Sequence, residues 1–163
     1  MKTIYIYTDG SHLDKQNNGR LGCGGVMVDR SGPGMGKLLG SFSVELEPGR
    51  MLSEFGAQKC SNPSAELVGV LEALRRLKIP SGTDMVIFKE DYNGVKFWME
   101  GKWRIKEPYI KEIKRQIDLE IKKQGLEGRL LFQWVKGHQS QSLLDPDAYW
   151  NNYVDKLAKG ESE

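Results

Sequence analysis

The apolar pattern of this 163-residue chain is purely that of strands at first and then alternates between helix and strand, and that change limits its fold more than any other feature. Up to residue 46 the pattern is that of strands. "TIYIYTDG" alternates Ile4, Ile6 and Thr8 with Tyr5 and Tyr7, "GCGGVMV" (22–28) reads as a second strand entered through glycines, and "KLLGSFSVEL" (37–46) as a third. The intervening "RSGPGMG" is turn chemistry, which makes the last two antiparallel neighbours. From residue 62 the spacing turns helical. Leu67, Val70, Leu71, Leu74 and Leu77 recur at three and four residues, behind Asn62 as N-cap and Pro63 as first helical residue. "DMVIFKED" (84–91) has the profile of a buried parallel strand, with a short helix in "NGVKFWME" after it. Ile110, Ile113, Ile117 and Ile121 mark one face of a longer helix from Pro108 to near Gly125. "RLLFQWVKG" (129–137) reads as a fifth strand, and "AYWNNYVDKLAKG" as a closing helix stopped by Gly160. Residues 47–61 have no legible period and read as loop.

Three meander strands followed by helix, strand, helix, strand, helix define one α/β domain over residues 1–163. Its sheet is mixed and five-stranded, three strands antiparallel and then two parallel, flanked by helices. The length suffices for one buried core, and 39% hydrophobic with 28% charged residues is a globular balance. No apolar run is long enough to span a bilayer, and the N-terminal stretch lacks the apolar segment of a signal peptide. Cys23 and Cys60 have no second cysteine or histidine at ligand spacing, and they read as reduced packing residues of a cytoplasmic protein. A net charge of +2 decides little, but Lys102, Arg104, Lys106, Lys111, Lys114, Arg115, Lys122 and Lys123 crowd one third of the chain. Such a run is either a solvated helix face or an edge for a polyanion.

The acids are placed more pointedly. Asp9 ends the first strand and Asp91 the fourth, which a helical crossover sets parallel to the first. Ligand sites in open α/β sheets lie beyond such carboxyl ends, so both carboxylates point to one crevice. Glu66 and Asp155 each adjoin the apolar face of a helix, where a charge needs compensation. Clustered carboxylates without thiol or imidazole partners suit a hard, oxygen-seeking cation such as magnesium or manganese. Taken singly, each acid also has a plain role as turn former, helix-dipole partner or surface charge.

"YTDGS", "NPSAEL", "KEDY" and "WVKGHQ…NNYVDKLA", in that order over nearly the whole chain, resemble the type 1 ribonuclease H family. The stretch "DYNGVKFWMEGKW" is similar to its compact bacterial and viroplasmin-associated branch, which lacks the long basic protrusion. The resemblance implies a metal-dependent endonuclease that hydrolyses the RNA strand of RNA–DNA hybrids and leaves 5′-phosphate and 3′-hydroxyl ends. It puts the four metal-binding acids on Asp9, Glu66, Asp91 and Asp155, holding two Mg2+ ions, with Mn2+ as a substitute. Asp9 and Asp155 would hold the ion that activates water; Asp9, Glu66 and Asp91 would hold the ion at the leaving oxygen. His138 falls on the family's mobile-loop histidine, serving proton transfer or product departure. Asn18 and Asn62 fall on minor-groove contacts, Ser61 on a phosphate pocket, and Trp98 and Trp103 on a channel beside the DNA strand. A monomer that acts on the hybrid, away from membranes, is the expected form.

The chain departs from the family pattern at four places. Tyr92 follows Asp91 where many relatives have serine, and Asn152 stands where glutamate is frequent. The segment from His138 to Asn151 is long and adds Asp145 and Asp147, which could sit near the metals or displace His138. Residues 47–61 are expanded. Two further readings belong to other classes: a hybrid-binding module without turnover, and a different nuclease of the same fold. Loss of one acid would favour the former and indifference to the 2′-hydroxyl the latter.

Overall fold

The computed structural model describes residues 1–13, 20–59, 61–136 and 145–161. Its elements are β1 (Thr3–His12), β2 (Leu21–Asp29), β3 (Lys37–Leu46), α1 (Pro48–Phe55), α2 (Asn62–Arg76), β4 (Met85–Glu90), α3 (Asn93–Met99), α4 (Pro108–Lys123), β5 (Leu130–Trp134) and α5 (Pro146–Ala158). The sheet order is β3-β2-β1-β4-β5, antiparallel through β1 and parallel beyond it, as the change of period predicts.

Strand alternation gives the sheet two different faces. Ile4 and Ile6 of β1, with Val86 and Phe88 of β4, face the larger core, which takes in α1, α2 and α4 through Met51, Leu67, Leu71, Ile113 and Ile117. Tyr7, Val26 and Val28 face a smaller cluster with Trp150 and Val154 of α5. Among the described residues, no helix is long and apolar enough to cross a membrane. Cys23 is a free, buried thiol, as expected of a packing residue, and Cys60 lies outside the described residues.

Two local expectations are corrected. Residues 47–61 hold a helix, α1, which buries Met51 and Phe55 and ends at Gly56 in the left-handed conformation. Arg50 of α1 also pairs with the buried Glu72 of α2, so this expansion is packed onto the core. The N-cap of α2 is Ser61 and not Asn62. Ser61 and Ser64 form a reciprocal capping box, which leaves Asn62 as an exposed first helical residue.

Candidate active site

Register brings the acids together. Tyr7 of β1 pairs with Lys89 of β4, and continuing that parallel ladder by two residues sets Asp9 beside Asp91. Asp9 does not end β1 as expected: pairing with β2 carries the strand on to His12, past the end of β4, so both carboxylates meet an open crevice. Glu66 enters from the first turns of α2, which lies against β1 at Gly10. A Cβ at Gly10 would stand 2.5 Å from the Ala65 carbonyl carbon and the Glu66 nitrogen, so only glycine permits this approach. A similar contact seats α5, whose Leu157 Cβ would lie 2.6 Å from a Cβ at Gly24. The glycines of "GCGGVMV" therefore make room for the helix that carries Asp155.

Asp9, Glu66 and Asp91 each offer an oxygen within 4.8 Å of the others. Asp155 lines the same cavity, of about 680 Å3, and pairs with Lys159 at 3.0 Å. Burial raises the Asp9 carboxyl well above the usual carboxylate range, and the charges of Asp91 and Asp155 add to the effect. Glu66 is raised by burial too, then by Asp9 and Asp91. Its Oε2 is buried without a hydrogen-bond partner among the described residues. These acids crowd negative charge into one place and leave Glu66 Oε2 unsatisfied, the condition that a cation would relieve. An all-oxygen set suits a hard divalent ion.

The other expected site residues divide. Asn62 lines the cavity with the acids. Ser61 does not; its Oγ lies 3.2 Å from the Tyr109 hydroxyl at the start of α4. Trp98 and Trp103 sit 6.4 Å apart between ring centroids in a neighbouring cavity of about 480 Å3, walled also by Lys102, Arg104, Ile105 and Lys106. Tyr92 joins the two hollows, since it lines the first and meets the Trp98 ring edge-on at 5.8 Å. Farther along the basic run, Lys114 pairs with Asp118 and Arg115 with Glu112, as on a solvated helix face. Asn18 and His138 lie outside the described residues. Asp147, considered for a place near the metals, instead binds Arg30 and Lys89 on the α5 face of the sheet, and Asp145 caps α5.

Several cavity residues escaped the sequence reading: His12, Trp134, Lys136 and Lys159. Trp134 donates its indole N–H to the Asp91 carbonyl at 3.0 Å while half its surface stays exposed. Only Lys159 carried a local signal, its place four residues after Asp155 on a helix.

A mixed sheet with carboxylates converging beyond adjacent parallel strands defines a candidate divalent-metal centre on an α/β scaffold. The RNase H family model matches residues 1–163, and the chain belongs to that family. Among solved structures it is similar to LC11-RNase H1, isolated from compost by a metagenomic approach, at 22% identity and TM-score 0.70, over 98% of this chain and 95% of that one. The RNase H1 of the archaeon Halobacterium salinarum gives 16% identity and TM-score 0.67, over 96% and 94%. The N-terminal RNase H domain of a Mycobacterium tuberculosis protein gives 20% and 0.66, over 98% and 93%. Another structure of LC11-RNase H1 holds an RNA/DNA hybrid. No curated protein sequence matches significantly. Family membership and the carboxylate cluster together support a ribonuclease.

Proposed function

We propose that the protein hydrolyses the RNA strand of RNA–DNA hybrids as a monomeric cytoplasmic endonuclease, leaving 5′-phosphate and 3′-hydroxyl ends. The observation that carries this reading is the convergence of Asp9, Glu66 and Asp91 at one end of an RNase H-family sheet, with Asp155 on the same cavity. These four carboxylates would hold two divalent ions, Mg2+ or in its place Mn2+. Bound there, the ions supply a lowered pKa for water and charge stabilisation of the leaving oxygen. The chain itself holds the acids together and orients the hybrid. Asn62, which lines the cavity, would read 2′-hydroxyls in the minor groove, a role the reading also gives Asn18. Ser61 suits a DNA-strand phosphate, and the Trp98–Trp103 hollow with its lysines and Arg104 suits the backbone beyond it. His138 is assigned to proton transfer or product departure.

The test is cleavage of a hybrid with end-labelled RNA against matched DNA duplex, RNA duplex and single-stranded RNA, with Mg2+ and with Mn2+. Hybrid-only cutting that disappears in Asp91→Asn supports the assignment. Binding of hybrid without cutting would replace it by a binding module, and cutting indifferent to the 2′-hydroxyl by another nuclease of this fold.

A further inference from the structure

The carboxylate of Asp147, in the first turn of α5, is shared by three partners from three other segments. It accepts from the Tyr7 hydroxyl at 2.6 Å, from Lys89 Nζ at 3.0 Å and from Arg30 Nη1 at 3.1 Å. Arg30 also donates to the Tyr7 hydroxyl at 3.0 Å and lies 4.3 Å from the centre of the Tyr5 ring. Lys89 is 11% exposed and Asp147 29%, so the network is largely withdrawn from water.

Its place in the fold gives it significance. Tyr7 precedes Asp9 by two residues on β1, and Lys89 precedes Asp91 by two at the end of β4. Residues two apart on a strand share a face and stand about 7 Å apart. Tyr7 and Lys89 are direct neighbours in the parallel ladder. The carboxylate of Asp147 is therefore fastened one pleat repeat below the Asp9–Asp91 pair, on the face that α5 covers. Asp155 follows Asp147 by two helical turns, about 12 Å along the axis. Beyond it, Leu157 and Ala158 rest on Gly24 and Gly22, the β2 partners of Asp9 and Ser11. The helix thus runs along β1, tied at one end by ions and at the other by backbone contact, with Asp155 between.

The apolar cluster under α5 is small. Directed bonds add to it: Trp150 Nε1 donates to the Met35 carbonyl at 2.8 Å, Ser43 Oγ to the Leu157 carbonyl at 2.6 Å, and at the start of the helix the Asp147 carboxylate takes three donors. The best-attested use of withdrawn ionic groups is to fix register.

We propose that Asp147 is a positioning residue: its clamp on Tyr7, Lys89 and Arg30 sets the register of α5 on the sheet, and so the placement of Asp155 against Asp9 and Asp91. This rests on the reading of Asp155 as a metal ligand. A clamp that only stabilised the fold would lower the melting temperature and leave metal affinity alone. The test is a double-mutant cycle on the whole protein, with Asp147→Asn, Asp155→Asn and the pair, reading Mn2+ affinity by calorimetry and melting by circular dichroism. Asn keeps the shape of the side chain and removes the charge that Lys89 and Arg30 share.

Asp147→Asn is expected to weaken Mn2+ binding at least fivefold at a temperature where it is fully folded, with the pair no weaker than Asp155→Asn alone. Hybrid cleavage by Asp147→Asn should lose kcat at least fivefold with KM unchanged. Unaltered Mn2+ affinity in Asp147→Asn, or effects that simply add, would overturn the clamp while leaving the reading of Asp155 intact. An Asp155→Asn isotherm identical to wild type would overturn that reading and the clamp with it. A variant that melts below the assay temperature is repeated as Lys89→Met, which removes one donor and carries the same expectations.

Discussion

Glu90 is the least comfortable residue in the fold, and replacing it should stabilise the protein. It continues the buried series Val86, Phe88 on β4 and is fully inaccessible. Both carboxyl oxygens lack a hydrogen-bond partner among the described residues, as does the hydroxyl of Thr8, the corresponding residue on β1. Burial pushes its pKa well above the usual carboxylate range; the positive charge of Lys96 only partly opposes this, and Asp91 reinforces it. An acid with a raised folded-state pKa imposes no penalty below its unfolded value, about 4.3. The penalty grows as pH rises above that value and levels off once the folded-state group has ionised. Glu90→Gln keeps the shape and abolishes the titration. Gln is as unpartnered there as a protonated Glu, so the gain is the cost of ionising the buried carboxyl, about 2 kcal/mol near neutral pH. For a chain of this length that is roughly 4–8 °C in melting temperature. Urea unfolding of both proteins in steps from pH 4 to pH 8 provides the assay. The difference should vanish near pH 4 and open steadily above it. A difference independent of pH, or a less stable Gln variant at pH 7.5, would refute the argument.

Glu72 should behave in the opposite sense. Burial alone would raise it, but Arg50 and Arg76 hold its carboxyl below the usual range, so its contribution is present at neutral pH and fades as pH falls through the folded value. Glu72→Gln should cost about 2 kcal/mol at pH 7 and much less near pH 3, by urea unfolding. Gly10→Ala places a Cβ against the Ala65 and Glu66 backbone and should cost about 1–3 kcal/mol. It should also depress hybrid cleavage well below wild type, because Glu66 is carried away from Asp9. Mg2+ at a hundred times its dissociation constant should stabilise the protein by about 2.7 kcal/mol, seen as an upward melting shift of roughly 5–10 °C. At one fixed Mg2+ concentration the shift should be larger at pH 8 than at pH 6, because protons compete with the ion for the raised carboxyls of Asp9 and Glu66.

The parts of the fold legible in the sequence were those with a period long enough to read. β1 and α2 declared themselves by alternation and by leucine spacing, and the helical crossover that sets β4 parallel to β1 put Asp9 beside Asp91, although β1 runs on through His12 and Asp9 does not end it. α1 could not be read because its eight residues carry too few apolar positions. Its helix depends on the tertiary contacts of Met51, Phe55 and Arg50, which lie far along the chain. At the start of α2 two good capping residues stand side by side, and the choice of Ser61 over Asn62 is made by Ser64 three residues on. Asp147 was open to misplacement for a similar reason. Its partners Tyr7 and Lys89 are 140 and 58 residues away, with nothing local to announce them.

Glu66 and Glu90 show why a buried unpaired carboxyl is not by itself a sign of function. Both are buried, both keep oxygens without partners among the described residues, and burial raises both. The difference is access. Glu66 lines the cavity with Asp9 and Asp91, where an ion from solvent reaches its oxygens; Glu90 follows Val86 and Phe88 into the larger core and does not line that cavity. Divalent ions therefore separate the two. Without them, Glu66→Gln and Glu90→Gln should both melt above wild type, since each removes a buried negative charge. With saturating Mg2+, wild type should overtake Glu66→Gln, which has lost a ligand, while Glu90→Gln should keep its lead. If Mg2+ left the order of melting temperatures unchanged, the strain at Glu66 would be as idle as that at Glu90, and the metal centre would lose its physical basis.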